Sequence, residues 1–405
     1  MPPMSSLAPI IPETSLRYAG WRVVLACFLS AVFCWGFGLY SHGVYLTELH
    51  RIHGWPTASI SAAITGFYLL TATLVVFISD AIARLGPKRV MLAGACCFGT
   101  AVLLLAFIDA LWQLYAVYAV MAVGAATMHV GAISNVVGLW FDRQRPLAIS
   151  LALNGASSGG ILVTPLLVLA IAHYGFSEAM IGSAIVMAAI LLPVIALWID
   201  RPGRSASTQS AAGAGTWTRR SALRSAKFWG VAAPFAMALT AQVGFLVHQL
   251  PALEPAMGRQ QAAFSVAALT IMAILGRLAL GAFAQRVDMR RLAAWSVASQ
   301  AVALVLLAMT ANPAVLMTGC VVFGLSAGNL LTFPALVLQR EFEPASFGTL
   351  VGLAWAINQF TYAFGPGVMG VIRDATGTYA VPLLLCAALD IGAAVLILVS
   401  RRRSI

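Results

Sequence analysis

The sequence predicts an all-α polytopic membrane protein in which about twelve transmembrane helices form two pseudo-symmetric six-helix bundles. Of its 405 residues, 61% are hydrophobic and only 9% are charged, whereas soluble domains carry about 25% charged residues. The apolar residues fall into about twelve runs, each near the roughly 20 residues that cross a bilayer. Positive charge is also distributed unevenly between the loops on the two sides of these runs.

The apolar runs define the predicted helices in chain order, and polar or Gly- and Pro-containing loops separate them. The segments are 21–47, 58–80, 89–109, 112–140, 146–172, 178–199, 228–251, 263–285, 291–311, 314–338, 346–371 and 378–400.

The distribution of lysine and arginine predicts the topology. With the N-terminus inside, 20 of the 24 basic residues fall in cytoplasmic tails and loops. Three lie in outer loops (Arg51, Arg259 and Arg373), and Arg277 lies within a span. The positive-inside rule therefore places both termini in the cytoplasm and supports an even number of helices. The net charge of +11 follows this topology. No basic face with interleaved aromatic residues is present, so we expect contact with membrane lipid and not with nucleic acid.

A polar stretch, 200–227, divides the chain into an N-terminal bundle at 1–199 and a C-terminal bundle at 228–405. It is rich in Ser, Ala and Gly and contains six basic residues, a composition that suits a flexible cytoplasmic linker on an anionic membrane surface. An offset of 206 residues aligns His42 with His248 in helices 1 and 7. Parallel six-helix repeats are a known architecture with a binding site between the halves, near the membrane midplane.

Arg277 is the most informative residue, because it is the only charge within a long apolar run of predicted helix 8. A cation near the bilayer centre costs at least about 2.5–3.5 kcal/mol and persists where it meets an anion or a wet cavity. No acidic residue lies within one helical turn of it. We therefore interpret its partner as a substrate anion. The alternative is an ion pair with an acid on another helix.

Several motifs carry a family resemblance. They are the segments 54–56, 140–148 and 154–159, the pair Gly276 and Arg277, and the loop residues Asp80, Arg84, Lys88 and Arg89 after helix 2. Over its whole length the chain resembles the major facilitator superfamily and, within it, the group of monocarboxylate transporters and oxalate/formate antiporters. The resemblance implies that Arg277 binds a substrate carboxylate and that the loop after helix 2 is a conformational motif.

The chain departs from this group at three positions. The animal monocarboxylate carriers have an acidic residue one turn before the arginine, where this chain has Ala273. They also use a lysine in helix 1, and helix 1 has none here. The oxalate exchanger pairs its arginine with a lysine in helix 11, where this chain offers neutral Asn358 and Gln359. A single cation suits a monoanion better than a dianion.

Other polar and aromatic residues in the spans complete the candidate site. By the rise per residue, the side chains from helices 8, 10 and 11 lie near mid-depth, and amides can hydrogen-bond a carboxylate. The alternatives are interhelical hydrogen bonds for the amides and core or lipid contacts for the aromatic rings. The candidate substrate-binding residues are Arg277, Asn329, Asn358, Gln359, Tyr40, Tyr118 and His129.

Three residues are candidates for carrying a proton. His42 and His248 lie toward the outer ends of their helices, and histidine changes charge in the physiological pH range. Asp390 is a mid-membrane acid in helix 12. The alternatives are neutral, hydrogen-bonded histidines and a protonated or paired aspartate.

No catalytic constellation or P-loop is present, so we expect no enzyme activity, no cofactor and no metal. We expect a monomeric secondary active transporter of a small organic monocarboxylate, working by alternating access with a co-transported proton in a plasma membrane, the bacterial inner membrane. The alternatives are an exchanger of carboxylate anions, a proton-driven drug exporter and a membrane sensor of the same fold that does not transport.

Overall fold

The computed structural model describes residues 13–15, 17–200, 217–283, 287–343 and 346–402. These residues form twelve membrane-crossing segments, several of them built from two helical pieces, and contain no strand. The segments are α1 (Gly20–Trp35, a π-helical turn Gly36–Tyr40, and His42–His53), α2 (Thr57–Leu85), α3 (Pro87–Leu104 with a 3-10 turn Leu105–Phe107), α4 (Leu111–Met128 and Val130–Gly138), α5 (Arg145–Tyr174), α6 (Phe176–Trp198), α7 (Ala226–Met257), α8 (Arg259–Phe283), α9 (Met289–Met309), α10 (Pro313–Leu330 and Phe333–Glu341), α11 (Phe347–Tyr362 and Phe364–Thr376) and α12 (Ala380–Arg402).

Each predicted apolar run coincides with one of these segments. α1 runs further than predicted, to His53. In the described residues, eleven helices are long and apolar enough to cross a bilayer on their own. The prediction of an all-α protein with twelve spans is therefore confirmed. Of the predicted linker, residues 201–216 lie outside the described residues, and a short helix, Arg219–Leu223, follows them.

The span that is not among these eleven is α11. It is broken at Ala363, which leaves two pieces of 16 and 13 residues. Neither piece reaches the roughly 20 residues needed to cross a bilayer. Pro366, four residues after Tyr362, contributes to this break. A proline inside a helix has no N–H for the carbonyl four residues earlier, and its ring collides with that carbonyl.

α1 and α4 also depart from regular α-helix near the middle of each segment. In α1, a five-residue π-helical turn contains Gly36 and Gly38 and ends at Tyr40. In α4, His129 adopts an extended backbone with φ −72° and ψ 168° between the two helical pieces. Such interruptions are frequent at functional sites, and these two lie in the same half of the chain.

Glycines allow α1 to pack directly along α5. A Cβ at Gly155 or Gly159 would collide with the carbonyl oxygens of Phe28 and Val32 in α1. Between the halves α1–α6 and α7–α12, α5 packs on α8 and α2 packs on α11. These two helix pairs form the boundary at which the candidate site lies.

Polar contacts close the distal end of the protein, the end at which α1 finishes at His53 and α8 begins at Arg259. There Glu48 of α1 forms an ion pair with Arg259 of the other half. Nearby, Asp374 of α11 accepts a hydrogen bond of 2.7 Å from a backbone N–H in α2. Two turns deeper, the Thr65 hydroxyl accepts one of 3.1 Å from a backbone N–H of α11. The two halves are therefore joined across the distal end.

Candidate functional site

Arg277 lies on α8 at the boundary between the halves. One terminal nitrogen of its guanidinium, Nη2, donates a 2.7 Å hydrogen bond to the hydroxyl of Ser157 on α5. Its Nε is buried and has no hydrogen-bond partner among the described residues. Within the described part of the chain, no carboxylate forms an ion pair with it. The alternative of a structural ion pair is therefore not found there, and the guanidinium keeps donors free for an anion.

Close packing of α8 on α10 fixes the backbone beside Arg277. A Cβ at Gly276 would collide with the carbonyl oxygen of Leu325 in α10. Asn329, one turn further along α10, is buried and donates from Nδ2 to that same carbonyl at 3.3 Å. Its Oδ1 has no partner among the described residues. Asn329 thus lies next to the helix crossing that carries Arg277.

α1 reaches this point through Tyr40, the last residue of the π-helical turn. Tyr40 interacts electrostatically with Arg277 and contacts Thr270 on α8. Gly160 on α5 leaves room for the ring, because a Cβ there would lie 3.0 Å from the ring of Tyr40 and 2.6 Å from the Thr270 hydroxyl. Residues of α1, α5 and α8 therefore converge at Arg277, and both halves contribute to its surroundings.

A second group joins His129 of the first half to Gln359 of the second. Nε2 of His129 lies 3.5 Å from the amide nitrogen of Gln359. Trp35 of α1 stacks on the imidazole with ring centroids 5.3 Å apart. The neighbouring Asn358 is fully buried, and neither of its amide atoms has a partner in the described part of the chain.

A third group surrounds His42 and is fully buried within the first half. The ring centroids of His42 and Tyr118 are 5.4 Å apart, and Nδ1 of His42 lies 3.3 Å from the Tyr68 hydroxyl. Among the described residues, neither Nε2 of His42 nor the Tyr118 hydroxyl has a hydrogen-bond partner. Tyr68 connects this group to the other half, because its ring meets that of Tyr362 in α11 at 5.8 Å.

His248 has different surroundings from His42, although the repeat alignment matches the two residues. Its Nε2 lies 3.0 Å from the carbonyl oxygen of Pro366 and 3.3 Å from the Ser61 hydroxyl of the first half. Its Nδ1 lies 3.3 Å from the Tyr379 hydroxyl. Burial raises the pKa of Tyr379, so that hydroxyl stays protonated. His248 therefore belongs to the contacts that close the distal end.

Asp390 lies on α12, away from the three groups described above. It is fully buried, and neither carboxylate oxygen has a hydrogen-bond partner within the described residues. Its electrostatic neighbour is Cys386, one turn earlier on the same helix. No contact in the described structure joins Asp390 to Arg277.

The residues predicted to form a loop after α2 lie on the surface, but they are helical: Asp80 and Arg84 are in the last turns of α2, and Lys88 and Arg89 are in the first turn of α3. Gly86 ends α2 with a φ of +88°, a conformation that glycine adopts without strain. Asp80, Arg84 and Arg89 are exposed, and Lys88 is partly exposed. In the portion of the chain that the structure describes, no ion pair links these four side chains.

Two features of the site were not predicted as such from the sequence. Ser157 lies in the segment 154–159, which carried the resemblance, but no role was assigned to it. Arg259 was predicted in an outer loop and Glu48 was assigned no role, and the structure brings the two together across the halves. Both contacts depend on which helices become neighbours, which apolar periodicity does not reveal.

Comparisons with known proteins agree with this architecture. Bovine monocarboxylate transporter 13 is 24% identical over 375 residues, which is 91% of this chain and 86% of that protein. Rat monocarboxylate transporter 3 is 25% identical over 89% of this chain and 75% of its own length. An uncharacterized MFS-type transporter of Bacillus subtilis, YcxA, is 26% identical over 45% of each chain.

Solved structures show the same fold. The nucleoside transporter NupG superposes with a TM-score of 0.73 at 15% identity, covering 95% of this chain and 99% of its own. A bacterial homologue of the human lysosomal transporter Spinster, solved in an inward-facing and unoccupied conformation, gives a TM-score of 0.74 at 14% identity, covering 96% and 98%. The family model described as Major Facilitator Superfamily matches residues 27–366. With its twelve spans, the chain belongs to the Major Facilitator Superfamily and is a membrane transporter, not an enzyme.

Proposed function

We propose that this protein is a secondary active transporter that moves a small organic monocarboxylate by alternating access, together with a proton. The observation that carries the proposal is Arg277. It is a largely buried cation between the halves, bound to the Ser157 hydroxyl and to no carboxylate among the described residues. A membrane protein retains such a cation at considerable cost, and an anionic substrate supplies the missing partner.

The chemistry of the site favours a carboxylate with one negative charge. A guanidinium presents a planar fork that matches two carboxylate oxygens. Asn329 and Asn358 have amide atoms without partners in the described part of the chain, and these atoms can add neutral hydrogen bonds without adding charge. Two of the similar proteins are named monocarboxylate transporters, which supports the same substrate class.

Alternating access requires the contacts across the distal end to open while the other end closes. We propose that the halves 1–199 and 228–405, joined by 200–227, move as units. In the second state, the ion pair of Glu48 with Arg259 and the contacts of His248 would separate. The segment with Asp80, Arg84, Lys88 and Arg89, exposed in this structure, would then contact the second half at the opposite end.

Charge balance supports a companion proton. Moving one negative charge inward against a membrane potential costs about 2.3 kcal/mol per 100 mV, and a co-transported proton removes that cost. Of the candidate carriers, His42 has an Nε2 without a hydrogen-bond partner among the described residues. Both ring nitrogens of His248 are engaged, and Asp390 lies apart from the site. We therefore place the proton on His42 or on the substrate carboxylate.

Uptake into proteoliposomes tests the function directly. Labelled monocarboxylates are offered with and without an inward pH step, and separately to vesicles preloaded with unlabelled anion. We expect uptake that the pH step accelerates and that Arg277→Gln abolishes, whereas Arg219→Gln, a change at an exposed arginine, leaves uptake intact. Full activity of Arg277→Gln would contradict the proposal. Exchange without any response to the pH step would eliminate symport and leave anion exchange.

A second test separates the possible proton carriers. His42→Gln should remove the pH response, while His248→Gln should change the rate and keep the response. If the response survives both changes, the imidazoles are not the carriers. The proton would then travel on the substrate or on Asp390, which Asp390→Asn distinguishes.

We further propose that the protein is a monomer in the plasma membrane, in bacteria the inner membrane, with both termini in the cytoplasm. Single cysteines at Ser177, an exposed residue at the start of α6, and at Ser207 in the linker test this orientation. An impermeant thiol reagent outside intact cells should label only the first. Labelling at position 207 would overturn the topology.

A further inference from the structure

Aromatic side chains from both halves form a band that begins beside Arg277. We define the aromatic band as Trp35 and Tyr40 of α1, Tyr68 of α2, Tyr362 of α11 and the imidazole of His129. Tyr40 packs against Gly160 of α5 beside Thr270 of α8, one helical turn along α5 from Ser157, which binds Arg277. The rings of Tyr68 and Tyr362 meet edge to face across the halves, at 5.8 Å and 84°. The band therefore begins beside the contact of Ser157 with Arg277.

These rings lie at the boundary between the halves. Trp35 stacks on His129 at 5.3 Å, and His129 in turn meets Gln359 of the other half. Trp35, Tyr40 and Tyr362 nevertheless keep partial solvent exposure. An aromatic ring on the outside of the protein, that of Trp112, is more exposed and more isolated. Trp112 is 70% exposed and has no aromatic neighbour in the described structure.

From this arrangement we infer that the organic tail of the substrate is an aromatic ring, so that the transported species is an arylcarboxylate. The inference rests on the proposed function, since Arg277 must hold the carboxylate. A ring attached to that carboxylate would extend from Arg277 onto Tyr40 and toward the edge-to-face pair. A two- or three-carbon acid would occupy only the guanidinium end and leave the band without a ligand.

Aromatic rings distinguish an arene from a saturated ring of the same carbon number. The quadrupoles of aromatic pairs favour edge-to-face and offset contacts beyond what apolar burial alone supplies. A cyclohexane ring has similar bulk but lacks the aromatic quadrupole. The band should therefore prefer an aryl acid over its cyclohexyl counterpart by about 3- to 10-fold in affinity.

Titration calorimetry with the purified, full-length protein tests this preference. The probes are two matched pairs, benzoate with cyclohexanecarboxylate and phenylacetate with cyclohexylacetate. Wild-type protein should bind the aryl acid of at least one pair about 3- to 10-fold more tightly. Trp35→Leu and Tyr362→Leu should bring that ratio toward one. Trp112→Leu and Tyr174→Leu, changes at the exposed outer surface, should preserve it.

Each outcome bears on one claim. One outcome is that neither aryl acid binds more tightly than its cyclohexyl counterpart, while Arg277→Gln abolishes the binding of all four acids. This outcome overturns the aromatic tail and leaves the proposed function standing. A ratio that survives both band variants also overturns it. If none of the four acids binds, the aromatic tail is overturned, and the uptake assay with smaller monocarboxylates decides the proposed function. If Arg277→Gln binds all acids as wild type does, the proposed function fails and this inference with it. Should a leucine variant fail to fold, methionine at the same position replaces it, and the wild-type ratio alone can still refute the inference.

Discussion

Replacing Arg259 by glutamine should open the distal end of the protein. Glu48, fully buried at the end of α1, uses its two carboxylate oxygens differently. Oε2 accepts from Arg51 of the same helix at 2.7 Å, and Oε1 pairs with Arg259 of the other half. Arg259→Gln removes the contact between the halves, whereas Arg51→Gln removes a contact within one helix. Each variant removes one cationic partner of the same carboxylate and lowers the net charge by one, so the two variants form a matched pair.

The size of the effect follows from the burial of the pair. Hydrogen bonds to charged groups contribute roughly 1.5–3 kcal/mol. Glu48 has no exposed side-chain surface, but the Arg259 side chain is 24% exposed, and exposure screens an ion pair. We therefore take the lower part of the range, about 1.5–2 kcal/mol. The ratio of closed to open distal ends should fall by roughly 10- to 30-fold.

Electron–electron double resonance can measure this ratio. Nitroxide labels are placed at Ile52 and Gln261, exposed positions at the distal end, in a background without the exposed native cysteines. Arg259→Gln should add a population at longer distance, and Arg51→Gln should resemble the parent. If Arg259→Gln leaves the distance distribution unchanged, the ion pair does not hold this end closed and the magnitude derived above is wrong.

Two further predictions concern the surroundings of Arg277. Ser157→Ala removes the hydroxyl that accepts from Arg277 and should change substrate affinity at least about threefold, because a neutral partner of a charged group is lost. Ser158→Ala removes a hydroxyl bonded only within α5 and should leave the affinity measured by calorimetry unchanged; equal effects would exclude a role for Ser157. Gly276→Ala forces a methyl group against α10 and should lower the free energy of unfolding by about 1–3 kcal/mol. Gly66→Ala, where the added carbon meets nothing, is its control in thermal unfolding, and equal stability of the two would contradict the close packing.

The sequence was sufficient for the helices because bilayer thickness imposes a length that apolar runs reveal. The interruptions were harder to predict. Pro366 is visible in the sequence, yet a proline in a membrane helix can be accommodated by neighbouring groups, so the break at Ala363 does not follow from it alone. The π-helical turn ending at Tyr40 and the break at His129 depend on packing within the first half, which periodicity does not encode.

The candidate site was only partly predictable for a related reason. Arg277 could be identified because the free-energy cost of a cation in an apolar segment is large, and the segment itself reveals it. Ser157 could not, since a serine hydroxyl in a helix usually bonds its own backbone, as that of Ser158 does. The repeat alignment treated His42 and His248 alike, but their neighbours differ. His42 lies among rings of its own half, whereas His248 contacts groups on α2, on α11 and in the loop before α12.

The central claim is that Arg277 binds a substrate carboxylate. Its most direct measurement is calorimetric titration of the tightest-binding acid and its isosteric amide into wild-type protein, Arg277→Gln and Arg277→Lys. We expect the amide to bind wild-type protein more than about tenfold more weakly than the acid. The acid should lose affinity by at least that factor in Arg277→Gln and substantially in Arg277→Lys, because lysine lacks the planar fork. Equal affinity of acid and amide, or an unchanged affinity of the acid in Arg277→Gln, would contradict the claim.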